Sequence, residues 1–167
     1  MTHIRNFTET DSQKFINMLM QLDNETRYMM YEPGERKITT SQLNSKFMQP
    51  SNKLLTLLID DLDNSCIGGF LSAERGGHRK IQHSAYVVIG MLKQYRHKGF
   101  GTKMFKMLDE WALSNEITRL ELTVAAENIN AVNLYTKMGF IKEGIKKNSL
   151  IIDGKYMDEF YMSKILL

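Results

Sequence analysis

Between Leu54 and Ile165 the spacing of apolar residues keeps switching between a period of two and a period near 3.6, and few folds accommodate that alternation. Leu54-Leu55-Thr56-Leu57-Leu58-Ile59 is a short apolar run closed by Asp60-Asp61-Leu62-Asp63-Asn64, which reads as a buried strand and a turn. Cys66 to Glu74 is its hairpin partner, and Arg75-Gly76-Gly77 turns the chain into a third strand from about Ile81 to Met91. From Gly99 to Leu113 the period becomes helical, through Phe100, Met104, Met107, Leu108 and Trp111. Arg119 to Val124 returns to strict alternation, with Leu120, Leu122 and Val124 opposed to Arg119, Glu121 and Thr123. Ala131, Leu134, Tyr135 and Met138 restore the helical period, and Gly139 ends it because glycine accepts a left-handed backbone. Ile141–Ile152 and Tyr156–Ile165 then flank Asp153-Gly154, a strong hairpin signal.

Upstream, His3 to Phe7 reads as a first strand. Thr10 or Asp11 is expected to cap a helix whose apolar face is Phe15, Met18, Leu19 and Leu22. Arg27 to Lys37, with Pro33-Gly34, reads as a loop, and Thr39 to Gln49 as a short helix ended by Pro50. The whole order is a strand, two helices, a three-strand meander, a helix, a strand, a helix and a hairpin. It specifies an α/β fold: a mixed, mostly antiparallel central sheet of about seven strands with helices on both faces. No linker or repeat divides the 167 residues, so a single domain over 1–167 is expected.

Composition removes several classes of function. Lys and Arg number 22 against 19 acidic residues, a net +3 without the dense clustering of a nucleic-acid binder. Cys66 is the only cysteine, which excludes an internal disulfide and a cysteine-rich metal site. His3, His78, His83 and His97 have no ligand-like spacing, so no metal is expected. Met1 to Asp11 is polar, and no run approaches the roughly 18 apolar residues of a membrane span. These features lead to the expectation of a cytoplasmic protein acting neither on membranes nor on nucleic acid.

The informative segment is Arg96-His97-Lys98-Gly99-Phe100-Gly101-Thr102, placed after a strand and at the opening of a helix. Glycines at 99 and 101 let backbone approach a ligand. The free N–H groups of a first helical turn, with the positive end of the dipole behind them, bind phosphates. Taken alone the segment also reads as a basic turn. It lacks the Gly-Lys-Ser/Thr of a Walker loop and the third glycine of a dinucleotide fingerprint.

A second element follows: Asn128-Ile129-Asn130-Ala131-Val132-Asn133-Leu134-Tyr135-Thr136-Lys137-Met138-Gly139-Phe140. The two together resemble the GCN5-related N-acetyltransferase superfamily, whose first motif is Arg/Gln-x-x-Gly-x-Gly/Ala and whose second is Asn-x-x-Ala-x-x-Leu-Tyr-x-Lys-x-Gly-Phe. The hairpin Asp153 to Phe160 is similar to the ending of the ribosomal-protein and polyamine acetyltransferase branch; it would flank the acceptor site or a homodimer interface.

The resemblance implies a sheet splayed between its fourth and fifth strands, with acetyl-coenzyme A in the gap. Val88, Ile89, Gly90 and Met91 would offer main-chain groups to the pantetheine arm. Amides of Arg96, His97, Lys98, Gly99, Phe100, Gly101 and Thr102 would hold the pyrophosphate. Asn128 would bond the arm, and Asn133 and Lys137 complete the motif on the cofactor side. Tyr135 would stand near the sulfur as the acid that helps the thiolate leave; periodicity alone would make it a packing residue. The base is open among Glu32, Glu74, Glu121 and water, and Glu121 also reads as an ordinary exposed strand residue. Tyr31, Glu32 and Glu35, in the loop between the early helices, would meet a cationic acceptor. The implied activity is direct transfer of acetyl to a primary amine on a small molecule. A peptide N-terminus as acceptor and a non-catalytic acyl-coenzyme A-binding module are the alternatives.

Overall fold

A computed structural model describes all residues from Met1 to Leu167. The strands are β1 (Thr2–Asn6), β2 (Leu54–Asp61), β3 (Cys66–Arg75), β4 (Ser84–Met91), β5 (Arg119–Ala125), β6 (Ile141–Ile152) and β7 (Lys155–Ile165). The helices are α1 (Ser12–Glu25), α2 (Thr40–Phe47), α3 (Phe100–Ser114) and α4 (Ile129–Lys137). The strands form one sheet in the order β1-β2-β3-β4-β5-β7-β6, antiparallel everywhere except between β4 and β5. The α/β architecture expected from the periodicity is therefore the one found.

Helices cover both faces. On one, Phe15 of α1 packs edge-on against Phe70 of β3 with ring centroids 5.2 Å apart. On the other, Phe105 of α3 meets Phe140 and Tyr135 at 5.6 and 5.8 Å. Phe15, Leu22, Leu58, Leu71, Met104, Phe105 and Leu108 are fully buried in one continuous core, each worth about 1.5–3 kcal/mol of burial. No helix is long and apolar enough to cross a membrane.

Several local expectations shift. The cap before α1 is Thr8, which opens a 3-10 turn over Glu9–Asp11; the Asp11 side chain does not cap the helix. Its carboxylate is taken by the Arg5 guanidinium at 2.7 Å and by Thr8. α2 ends at Phe47, two residues before Gln49. β2 runs on through Asp60 and Asp61, because pairing with β3 continues across a bulge at Ile59/Asp60. β4 begins at Ser84, since Arg79–Ile81 forms a 3-10 turn.

Candidate active site

The one parallel junction positions the site. β4 and β5 pair only at Ser84↔Arg119, Ala85↔Leu120 and Tyr86↔Glu121. Beyond Tyr86 the strands diverge, leaving the β5-facing edge of Val87 to Met91 without a strand partner, while the other edge stays paired to β3. A wedge-shaped gap thus opens toward the C-terminal ends of both strands, and the splay expected between the fourth and fifth strands is present.

The segment after β4 leads into the N-terminus of α3. No side chain caps that helix, and its N-cap, Gly99, has φ +81°. The N–H groups from His97 to Thr102 meet no acceptor in the protein; the first helical bond is Lys103 N to Gly99 O at 3.1 Å. His97 also takes a left-handed conformation, φ +59°. A row of unsatisfied donors at a helix start is an arrangement that favours a negative charge beside it.

Its members differ in role. A Cβ on Gly99 would meet nothing within 4 Å, so glycine is required there by its dihedral. A Cβ on Gly101 would lie 3.0 Å from Leu134 Cδ2, so Gly101 lets α4 lie against α3. Gly101 thus has a packing role in addition to the backbone N–H it presents at the start of α3. Arg96 donates from Nε to the Met91 carbonyl at 2.8 Å, which ties the loop to β4. Lys98 is exposed, 5.8 Å from the Tyr95 ring centroid.

Asn128 is the N-cap of α4, its side-chain oxygen facing Ala131 N at 3.4 Å. Asn133 and Lys137 are exposed. Tyr135 is buried against Phe105 and Phe140. Burial, followed by the nearby Tyr86 hydroxyl, pushes the Tyr135 hydroxyl well above the usual phenol range.

The opposite face carries a second feature. A Cβ on Gly90 would strike Leu22 of α1 at 2.5 Å, so even-numbered β4 residues face α1. Tyr86 and Val88 share that face, and through the Tyr86↔Glu121 pair so do Glu121 and Thr123. There a hollow of about 250 Å³ is lined by Tyr86, Arg119, Glu121, Thr123, Glu143 and Tyr161, among others. Tyr86 Oη and Thr123 Oγ1 are 2.8 Å apart. Arg119 donates Nε to Glu121 at 2.8 Å and grips Glu143 with both terminal nitrogens at 2.9 and 2.6 Å. That grip holds the Glu143 carboxyl down at about 2.

Of the acceptor-side residues expected, only Glu121 lines this hollow. The Tyr31 ring is stacked under the Arg36 guanidinium at 4.2 Å, and Glu35 accepts from Glu32 N at 2.9 Å, so these residues shape their own loop. Glu74 pairs with Tyr86 across β3 and β4. Nothing in the sequence singles out Tyr86, Arg119 and Glu143: their convergence depends on strand register, which single-strand alternation does not encode.

The description of the acetyltransferase (GNAT) family fits residues 16–140. The chain belongs to that family. It is 28% identical over 151 residues to the spermidine N(1)-acetyltransferase of Vibrio cholerae, covering 90% of this chain and 85% of that one. It is 28% identical over 121 residues to the L-amino acid N-acetyltransferase of Escherichia coli, 70% of each chain. A GNAT-family acetyltransferase structure from Streptococcus pneumoniae superposes with a TM-score of 0.91 at 27% identity, over 99% of this chain and 100% of that one. A Salmonella typhimurium acetyltransferase structure with its cofactor acetyl-CoA shares the fold, at a TM-score of 0.86, 14% identity, and coverage of 100% and 95%.

Proposed function

We propose that the chain is one acyltransferase domain that moves acetyl from acetyl-coenzyme A to a primary amine by direct transfer. The observation that carries this is the open β4–β5 wedge leading to the unpaired N–H row from His97 to Thr102. An extended arm ending in a pyrophosphate fits both: the arm lies along Val88 to Met91 as an added strand, and the phosphates face the α3 amides. Asn128, at the far rim of the wedge, keeps its amide nitrogen for the arm while its oxygen faces Ala131. Asn133 and Lys137, exposed on α4, flank the outer part of the donor.

The donor supplies an activated acetyl carbonyl. The amine arrives from the α1 face, where Glu121 and Glu143 outnumber Arg119 and draw its cationic form, and it attacks once it has lost that proton to solvent. Tyr135, on the opposite face, gives its proton to the departing sulfur. The test is release of free coenzyme A with a panel of spermidine, L-amino acids and streptothricin, compounds in the names of this chain's relatives. Amine-dependent release with the matching N-acetyl product is expected; tight binding of acetyl-coenzyme A with no product from any amine would leave a binding module.

A further inference from the structure

The base is the missing part of this chemistry, and the α1 face of the wedge contains an unused arrangement. Tyr86 holds the last paired position before the strands part, and its hydroxyl reaches across to Thr123 at 2.8 Å. The two hydroxyls therefore bridge the apex of the gap, where the strands part, on the acceptor side. Either atom can be donor or acceptor, so the pair can accept one proton while releasing another. Tyr135 lies on the other side of the sheet, packed against Phe105 and Phe140.

Both hydroxyls also line the hollow with Glu121. Thr123 and Glu121 are two residues apart on one strand face, about 7 Å between α-carbons, a span one solvent molecule bridges. Glu121 commits one oxygen to Arg119 Nε, and its other oxygen takes no protein donor. The remaining groups facing Tyr86 are Glu74 from β3, Thr123 and Arg119 from β5, Glu143 from β6 and Tyr161 from β7.

We propose that the Tyr86–Thr123 hydroxyl pair receives the acceptor amine at the apex of the wedge and relays its proton to Glu121. This rests on the acetyltransfer reading above. As nitrogen attacks, the C–N bond forms and the nitrogen becomes positive. It gives a proton to Tyr86 Oη; the Tyr86 proton passes to Thr123 Oγ1, and the Thr123 proton passes through solvent to Glu121. The C–S bond then breaks, and the sulfur takes the Tyr135 proton. Glu121 returns its proton to solvent, Tyr135 regains one, and both side chains end in their starting protonation states.

The experiment compares the parent with Tyr86→Phe, Thr123→Val and the double variant. Each is assayed with spermidine and the panel amines at saturating donor and acceptor, with kcat followed across H2O/D2O mixtures and donor Kd measured by calorimetry. Tyr86 is 43% exposed, so removing its hydroxyl leaves the fold in place. Expected are a drop in kcat of at least about tenfold in each single variant and little further loss in the double. Donor Kd should not change. The parent's curved dependence on deuterium fraction, from several protons in flight, should become linear. A Tyr86→Phe enzyme with the parent's kcat and the parent's curve overturns the relay. A parent that binds donor yet acetylates no amine defeats the acetyltransfer reading itself, and the relay falls with it.

Discussion

Gly99 and Gly101 stand two residues apart at the start of α3 and serve different ends. Gly99 holds a φ of +81° with open space where a side chain would go. Alanine there costs about 1–2 kcal/mol of backbone strain or lets the turn relax. Gly99→Ala should therefore weaken acetyl-coenzyme A binding by roughly tenfold in calorimetry, which is about 1.4 kcal/mol. Asparagine, which tolerates the left-handed region, should recover part of the loss. Gly101 faces Leu134, so Gly101→Leu should act on stability, costing about 1–3 kcal/mol by overpacking between α3 and α4 in a denaturant titration. Equal effects of the two variants on donor affinity would contradict this division. Tyr135→Phe keeps the ring against Phe105 and Phe140. It should lower kcat at saturation by roughly tenfold to a hundredfold with donor Kd unchanged; the reduced expectation reflects a thiol pKa near 8.5, which leaves a fair leaving group. Parental turnover in that variant would make Tyr135 a packing residue.

At the scale of elements, strands and helices were legible wherever apolar period and turn chemistry agreed, as in the β6–β7 hairpin around Asp153-Gly154. They were misjudged where a side chain chose a partner outside its own segment. Asp11 looks like a helix cap, but Arg5 of β1 claims its carboxylate. Arg119 likewise ties β5 to β6 through Glu143, and the sign of its pH effect follows from the pair. Glu143 is held down from an ordinary 4.5 to about 2 in the folded chain, so its contribution is present above 4.5 and fades as pH falls toward 2. The melting temperature of Glu143→Gln should lie below the parent's at pH 6, with the difference closing between pH 4.5 and 2. The side chain is 37% exposed, so the gap should be small and should narrow with added salt. A gap independent of pH would assign the effect to shape and not to charge.

For the whole molecule, the donor side was readable in advance because it consists of main-chain groups fixed by a short contiguous motif, from Arg96 to Thr102. The acceptor side was not. Tyr86, Thr123, Arg119 and Glu143 come from three strands, and only the pairing register brings them together. The donor's phosphates should meet Lys98 and the α3 dipole, so the dissociation constant should rise between low and high ionic strength. A salt-independent constant would mean that the pantetheine arm alone supports binding. The parallel junction itself has a mechanical corollary. Three residue pairs are the only strand pairing that joins the β1–β4 half of the sheet to the β5–β7 half. Such a seam should breathe more readily than the sheet around it, and a guest lodged in it would act as mortar. Amide exchange along Val87 to Met91 should then slow when acetyl-coenzyme A is added, while exchange in β1, at the far edge of the sheet, should keep its pace.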